Sequence, residues 1–357
     1  MNNSLAEPSD EEERRDGTTL LGAGKLPPRL LRRLIDRYVA LDASVLVGPG
    51  VGRDAAAIAL DETTLVVKAD PITFATERAP FYLVNVNAND LACLGAMPRW
   101  LTVTALLPTG KISEESVEMQ FRELAEACDQ FGVSLIGGHT EVTGAVNQPI
   151  LVGQMLGTVD RDRLLKPGGS RPGDKLLLTK ALAIEGTALL SRELADVLTI
   201  ALGPELVAKA KNLLRDPGIS VLRDAQLMLS VEGVTALHDP TEGGLAVGVK
   251  ELVAASGCGA QISFDRVPVL PETTAIAAYL GIDPAGMLAS GSLLASVSRE
   301  AAPAVIDACQ DAGIAVTPIG IVCEQTDGLT WFRDGKEGPI QTFETDEVAR
   351  ALLSRSS

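Results

Sequence analysis

A chain of 357 residues is longer than one hydrophobic core usually supports, so two domains are expected. Hydrophobic residues make up 46% and aromatics only 3%, which calls for a core of closely packed Ala, Leu, Val and Ile and suits helices laid on sheets. The net charge of −16, with no cluster of Lys and Arg, excludes an electrostatic footprint for nucleic acid or an anionic membrane; a polyanionic ligand must be met locally by backbone amides, a few cations or a divalent metal shared with carboxylates.

Residues 1–18 are polar, charged and without apolar periodicity, the composition of a disordered acidic tail. Leu-Gly-Ala-Gly-Lys follows and ends at Lys25, before an amphipathic helix expected over 28–38, where Leu30, Leu31, Leu34 and Ile35 recur at helical spacing. Strands are predicted at 45–47, 56–60, 65–68, 100–107, 134–136 and 150–159, with helices at about 81–94 and 113–131 between them. The Pro/Gly cluster Lys166-Pro-Gly-Gly-Ser-Arg-Pro-Gly-Asp near the middle marks a domain junction. Beyond it, strands at 175–179, 293–297 and 315–322 alternate with helices at 205–214, 243–255 and 301–312. The expected class is therefore α/β in the broad, mixed α+β sense: an N-terminal domain over 19–165 and a C-terminal domain over 166–350, each a mixed sheet flanked by helices. Cys93, Cys128, Cys258, Cys309 and Cys323 are scattered and form no Cys-x-x-Cys pair, which points away from disulfides and zinc and toward a reducing cytoplasm. No apolar run reaches the roughly 18 residues of a membrane span.

Five stretches carry residues suited to chemistry. Gly48-Pro-Gly50-Val-Gly52-Arg-Asp54 precedes a strand, which fits a turn or a phosphate loop but not the dinucleotide fingerprint, since no helix follows. Asp70 precedes Pro71 after the β-rich run 65–68, where it starts a turn or faces a ligand at a strand end. The run Val84-Asn-Val-Asn-Ala-Asn-Asp90 has helical length yet inserts Asn85, Asn87, Asn89 and Asp90, and burying so many polar groups is costly unless something engages them. Gly137-Gly138-His139-Thr140-Glu141 contains one of only two histidines; its glycines permit close backbone approach and Thr140 and Glu141 offer oxygens. The other histidine opens His238-Asp239-Pro240-Thr241-Glu242-Gly243-Gly244, in which Asp239, Pro240 and Glu242 spell a helix cap while two glycines in the first turn spoil it. Asp54, Asp70 and Asp90 among glycines suit Mg²⁺ bound to nucleotide phosphates, although a Gly-x-x-x-x-Gly-Lys-Ser/Thr loop is absent.

In this order the five stretches resemble the aminoimidazole ribonucleotide synthase superfamily. Gly52-Arg-Asp54-Ala-Ala is similar to its Gly-Asp-Asp-Ala-Ala, Asn89-Asp90 with Gly95-Ala96-Met-Pro98 to its Asn-Asp…Gly-Ala-x-Pro, and Gly137-Gly138-His-Thr140 to its Gly-Gly-Asp/Glu-Thr. The segment 238–245 is similar to the Asp-Pro-Thr-Arg-Gly-Gly-Leu of the hydrogenase-maturation carbamoyl dehydratase branch. The resemblance covers about residues 20–335. It implies a homodimer joined by strands of the N-terminal domains, with ATP and Mg²⁺ as cofactors and a γ-phosphate that activates an amide or carbonyl oxygen of a small-molecule or protein-borne acceptor. By position it implies Asp54, Asp70 and Asp90 as metal ligands, with Glu141 able to supply a further carboxylate. It places Gly50, Gly52, Asn89, Gly137, Gly138, His139, Thr140, Gly243 and Gly244 around the nucleotide, and Lys25, His238 and Asp239 at the reacting groups.

Three departures qualify that expectation. Arg53 stands for the first Asp of the Asp-Asp pair, His139 stands for the acidic residue of Gly-Gly-Asp/Glu-Thr, and the last cysteine is Cys323, whereas the dehydratase carries its carbamoyl group on a C-terminal cysteine. The expectation is thus an untethered acceptor, with a small-molecule kinase of the thiamine-monophosphate type, or a dimeric nucleotide-binding partner protein without turnover, as alternatives.

Overall fold

The computed structural model describes residues 14–15, 18–19, 28–39, 41–50, 53, 55–73 and 77–354. Lys25, Gly52 and Asp54 lie outside the described residues, as does most of the expected tail. Two compact units divide the chain, Met1–Val39 and Ala40–Ser357. In the first, β1 (Arg14–Arg15) pairs antiparallel with β2 (Thr18–Thr19), so a two-stranded ribbon stands at the end of the segment expected to be disordered. The same unit holds α1 (Pro28–Tyr38), which matches the expected amphipathic helix.

The second unit begins with β3 (Val45–Val47), β4 (Ala56–Leu60) and β5 (Thr63–Ile72), then α2 (Ala79–Cys93), β6 (Met97–Pro108), α3 (Glu114–Phe131), β7 (Ser134–Thr143) and β8 (Ile150–Asp160). Their strands form one sheet in the order β3-β4-β5-β8-β6-β7. Every pairing is antiparallel except β6 with β7, which α3 links as a βαβ crossover. Ser113 caps α3 in a reciprocal box with Ser116, and Gly132 at φ 62° ends it. Strand β8 alternates buried with partly buried or exposed positions, as a strand packed more closely on one face does.

Helix α2 is buried over all fifteen of its residues and packs on β5, β6, β8 and α3. It reaches this depth because Gly153 of β8 has no side chain: a Cβ there would stand 2.9 Å from Asn87 Nδ2 and 3.1 Å from Leu83 Cγ.

A second sheet follows, built from β9 (Lys175–Thr179), β10 (Val234–His238), β11 (Gly259–Ser263), β12 (Leu294–Val297), β13 (Val316–Cys323), β14 (Leu329–Arg333) and β15 (Lys336–Pro339) in the order β10-β12-β9-β13-β11-β14-β15. Only β11 and β14 run parallel. Strand β9 is central, and its Leu176, Leu177 and Leu178 are fully buried, which is why it reads as a continuous apolar run rather than an alternation. The accompanying helices are α4 (Ile184–Glu193), α5 (Ala195–Leu202), α6 (Pro204–Asn212), α7 (Leu222–Leu229), α8 (Gly244–Ala254), α9 (Pro271–Leu280), α10 (Ala302–Asp311) and α11 (Glu347–Leu353). Helix α7 and strand β10 pack against α2, so α2 belongs to the cores of both sheets. The mixed, helix-flanked two-sheet class expected from the sequence is observed. No helix among the described residues is long and apolar enough to cross a membrane.

Two local expectations are corrected. Strand β7 does not stop at residue 136 but runs through Gly137-Gly138-His139-Thr140-Glu141, so this stretch is an edge strand and not a turn. Asp239 does not cap α8; the cap is Gly243, in the left-handed region at φ 79°, and the helix starts five residues after Asp239.

Candidate functional site

Strand β5 extends beyond the predicted 65–68 and includes Asp70 and Pro71. Beyond Val67 its pairing is with β8 alone, which leaves room for a residue without an N–H. Alternation along the strand puts Lys68 and Asp70 on one face. Helix α2 covers that face and adds Asp90, and the three charges meet: Lys68 Nζ lies 3.2 Å from Asp70 Oδ2 and 3.0 Å from Asp90 Oδ2. Asp90 is nearly sealed at 4% side-chain exposure, whereas Asp70 is 33% exposed and gives the cluster its opening. Asn87 fixes the arrangement from below, accepting a hydrogen bond from the Asp70 N–H at 3.2 Å and donating to Leu83 O at 2.9 Å.

The burial of the other asparagines is compensated within the chain, not by a ligand as expected. Asn85 donates to Phe81 O one turn back at 2.8 Å. Asn89 donates to Ile219 O at 2.9 Å and accepts from Val221 N–H at 2.8 Å, so both ends of its amide clamp α2 to the segment before α7 and neither is turned to a phosphate.

Lys68 is the candidate site residue that the sequence reading did not single out; its i, i+2 spacing to Asp70 within a strand was the available signal. The donor set fits a hard cation beside phosphate: two carboxylates from different elements already converge on one positive charge, and Mg²⁺ is commonly held by one or two carboxylates together with substrate phosphates. Among the described residues no group of three or more His, Cys, Asp and Glu side chains is arranged to hold a metal ion without such help.

The Gly-Gly-His stretch lies elsewhere in the same sheet. Asp70, Gly153, Val103 and Gly138 form one row across β5, β8, β6 and β7. Three strand spacings, roughly 14 Å, therefore separate Asp70 from Gly138. Within one chain Glu141 is not brought to the Asp70–Asp90 cluster; it pairs instead with His139, whose Nε2 lies 3.6 Å from Glu141 Oε2 on a strand where both are exposed. Thr140 stands beside them, opposite Ala105 of β6. Gly138 has a local reason: at φ 142° a Cβ would fall 1.9 Å from Val103 O, so the close approach it allows is to β6. Gly137, at φ 151°, faces open space. Upstream, Arg53 Nη1 donates to Gly48 O at 3.2 Å and its side chain lies where a Cβ on Gly50 would stand, so Gly50 and Arg53 close their turn together.

The 238–244 segment forms a third locality, on the C-terminal sheet. His238 is buried, with Nε2 3.1 Å from Glu251 Oε2 of α8. Asp239 is 1% exposed, and its Oδ1 lies 3.8 Å from Cys93 Sγ, one helical turn beyond Asp90 on α2. Gly243 donates its N–H to Asp346 Oδ2 at 2.8 Å. Gly244, at φ 63°, is pressed against the backbone of the preceding turn of another loop: a Cβ would stand 2.5 Å from Ala285 O and 2.7 Å from Met287 O. The tight approach expected at these glycines is therefore made by the chain itself.

Glu185, in the first turn of α4, joins this locality without any sequence signal. It is 5% exposed. Burial pushes its carboxyl up to about 7 against the Ser290 hydroxyl, and the charges of Asp239, Asp346 and Glu242 push the same way. Burial likewise raises Asp346 to about 6, against the backbone N–H groups it accepts from. The loop leading into α4 holds Lys180 at φ 53° and Ala183 at φ 60°, two left-handed non-glycine residues of the kind concentrated at functional loops.

Two mixed sheets sharing one buried helix, with a carboxylate–lysine cluster on one and an acidic Gly-Gly loop on the other, define the class of protein. The family model for the N-terminal domain of AIR synthase related proteins matches residues 52–159, and that for their C-terminal domain matches residues 171–331. The chain belongs to the AIR synthase related family. It is similar to carbamoyl dehydratase HypE of Escherichia coli strain K12, 30% identical over 264 residues that cover 70% of this chain and 74% of the relative. The crystal structure of that E. coli protein matches with a TM-score of 0.69 at 26% identity, covering 80% of this chain and 88% of the other. The carbamoyl dehydratase HypE of Cupriavidus necator is 28% identical over 72% of each chain. A crystal structure of HypE in complex with ATP shares the fold at a TM-score of 0.68 and 22% identity, covering 89% of this chain and 96% of the other.

Proposed function

We propose that this chain is an ATP- and Mg²⁺-dependent enzyme in which the γ-phosphate activates the oxygen of an amide or carbonyl acceptor. The carrying observation is the convergence of Asp70 and Asp90 on Lys68 beside a wholly buried helix. Asp70 and Asp90 would hold Mg²⁺, which supplies neutralisation of phosphate charge when bound. Lys68, freed from its two carboxylates by that charge, is then able to meet a phosphate oxygen. Asp239 lies against Cys93, one turn of α2 beyond Asp90, and suits the acceptor side. Gly243, Gly244 and His238 serve it by shaping and holding the loop, since each is engaged by the protein itself.

The proposal extends to a homodimer through β7. That strand is a ten-residue edge with Leu135, Ile136 and Val142 exposed, and it borders a mainly apolar cavity of about 340 Å³ beneath α3. Long, exposed, apolar edges normally pair with another strand. In such a pair the partner's edge would bring His139, Thr140 and Glu141 into play from the other copy.

The test is ATP turnover by the purified protein with Mg²⁺ across a panel of carboxamides, carbamates and alcohols, read as ADP and free phosphate. Acceptor-dependent ADP with phosphate supports the proposal. ADP without free phosphate indicates a kinase, and tight ATP binding without turnover indicates a nucleotide-binding partner protein.

A further inference from the structure

The C-terminal sheet has one face that is only partly covered. Strand pairing aligns Lys175 of β9, Ile321 of β13, Gln261 of β11 and Thr330 of β14 in a single row, so their side chains share that face. Ser263 and Phe332 continue it one pleat further on. Leu177, two residues after Lys175, is fully buried, whereas Gln261 is exposed and Phe332 is 45% exposed. Between the start of α10 and the open part of this face lies a cleft of about 640 Å³, a volume that holds an ordinary small-molecule ligand. Lys175, Arg266 and Arg299 line it, against the single carboxylate of Glu337. None of the three cationic side chains makes a hydrogen bond or ion pair with another of the described residues. Like charges around one cleft repel one another and draw in an anion, and here they do so in a chain whose net charge is −16. The three are not equivalent. Val297 pairs with Lys175 and Arg299 follows two residues later, so Lys175 and Arg299 share one end of the cleft with backbones roughly 8 Å apart. Arg266 ends the turn after β11, two strands across and beyond Ser263, so its backbone is roughly 12 Å or more from Lys175.

We propose that this cleft binds an aromatic phosphate monoester, apart from the Lys68–Asp70–Asp90 cluster, with the phosphate between Lys175 and Arg299 and the ring laid over Ile321 and Gln261 toward Phe332. Two cations of different shape suit a dianion: the guanidinium fork takes two of its oxygens and the ammonium a third. A carboxylate, with one charge and two oxygens, leaves one of them unused. The apolar part of the cleft selects against free phosphate. Ile306 of α10 and Pro318 and Ile321 of β13 offer water no side-chain hydrogen bond, so a flat apolar body displaces it favourably. Phe332 adds an aromatic face in a chain with only 3% aromatic residues. The side chains of Gln261 and Thr330 make no hydrogen bond within the described residues and are left to meet polar substituents on the ring. No run of Lys and Arg announces the site, because strand pairing and not sequence brings its charges together. Binding here does not require ATP turnover.

Fluorescence anisotropy of 1-naphthyl phosphate, titrated with the full chain, reads the binding. Submillimolar affinity is expected, weakened about tenfold in Lys175→Gln and in Arg299→Gln, each the loss of a charged hydrogen bond, and about threefold or more in Phe332→Ala. Arg266→Gln should stay within about twofold, because a charge beyond the roughly 8 Å screening length of physiological salt acts weakly. Arg266, Arg299 and Phe332 are exposed, so their variants carry the test even if Lys175→Gln, half-buried in a central strand, disturbs the fold. Saturating Mg-ATP should leave the probe bound, and inorganic phosphate should displace it only at about thirtyfold higher concentration or more. Absence of binding overturns the inference. Equal losses in all three cation variants overturn it as well, since they reduce the cleft to unspecific attraction, and so does inorganic phosphate that competes as well as the ester. Equal affinity for 1-naphthoate overturns the choice of phosphate. Displacement by Mg-ATP, with loss of binding in Asp90→Asn, places the probe in the nucleotide site and overturns the separate cleft.

Discussion

Replacing Glu185 by Gln should make the protein more stable at pH 8 and leave it nearly unchanged at pH 4.5. The carboxyl stands at about 7 in the folded chain against an ordinary value of 4.5, chiefly because it is buried. Between these two values the folded state binds the proton more tightly than the unfolded state does. Stability therefore falls as pH rises from 4.5 to 7, and above 7 the whole penalty of an ionised buried carboxylate is present. A displacement of this size corresponds to about 3 kcal/mol. Glutamine keeps the shape and discards the titration, so the variant should gain up to about 3 kcal/mol at pH 8 and converge with the wild type in acid. Asp346, raised to about 6, imposes a slope of the same sign on both proteins; its repulsion of Glu185 is part of the gap that the variant removes. Urea unfolding at pH 4.5 and pH 8 measures the two gaps directly. A Glu185→Gln variant no more stable than wild type at pH 8 would refute both the neutral folded carboxyl and its physical cause. If it is more stable yet impaired in turnover, the buried charge is kept at the expense of stability, which is the usual mark of a working group.

Asp90→Asn should reduce Mg-ATP affinity at least about tenfold in calorimetric titration without unfolding the chain, because the amide keeps the packing of α2 and loses the charge; wild-type affinity would sink the cation assignment. Asn89→Ala should cost about 2–4 kcal/mol in urea unfolding, since Ile219 O and Val221 N–H are left without the partner they share in a segment whose residues 219 and 221 are 0% exposed. Gly138→Ala should disrupt the β6–β7 pairing and lower the melting temperature far more than Gly137→Ala, for the first Cβ strikes the Val103 carbonyl and the second meets open space; equal effects would show that strain alone decides. Ile136→Asp, at a side chain 58% exposed, should leave a monomer folded and shift the mass seen by light scattering from dimer to monomer; an unchanged dimer would place the interface elsewhere.

The first sheet was legible because its strands announce themselves. Strands 45–47 and 56–60 match residue for residue, and α3 begins within a residue of the Ser113 cap. The misreadings have physical sources. Pro71 looked like the end of β5, yet it sits where the strand has one neighbour and needs no N–H on its other side. Gly137-Gly138 looked like the end of the strand begun at 134, yet the strand runs on and Gly138 answers to a close strand neighbour. The second half was harder: α4, α7 and α9 and strands β10, β11, β14 and β15 are short, and their faces are set by packing against elements distant in the chain. Of the site, Asp70 and Asp90 were marked by composition, and Lys68 was recoverable from alternation. Glu185 was not. An acidic residue in a first helical turn is ordinary on a surface helix, and only the tertiary fold turns it inward against three other carboxylates.

Helix α2 explains why both localities tolerate so much buried polarity. A helix buried on every side has no solvent face on which to place Asn and Asp, so each polar group must find its partner in the protein, and each partner then fixes the helix. Asn87 ties it to β5 at Asp70, Asn89 ties it to the 219–221 segment, and Cys93 rests against Asp239. Tyr82, near its other end, is buried and packs edge-on against Phe81. The Lys68–Asp70–Asp90 cluster and the locality of Asp239 are thus held by one helix rather than by separate loops. A displacement of α2 would disturb both together; under the proposed function that coupling keeps phosphoryl donor and acceptor in register, where misplacement of reacting groups by about 1 Å can cost on the order of 100-fold in rate.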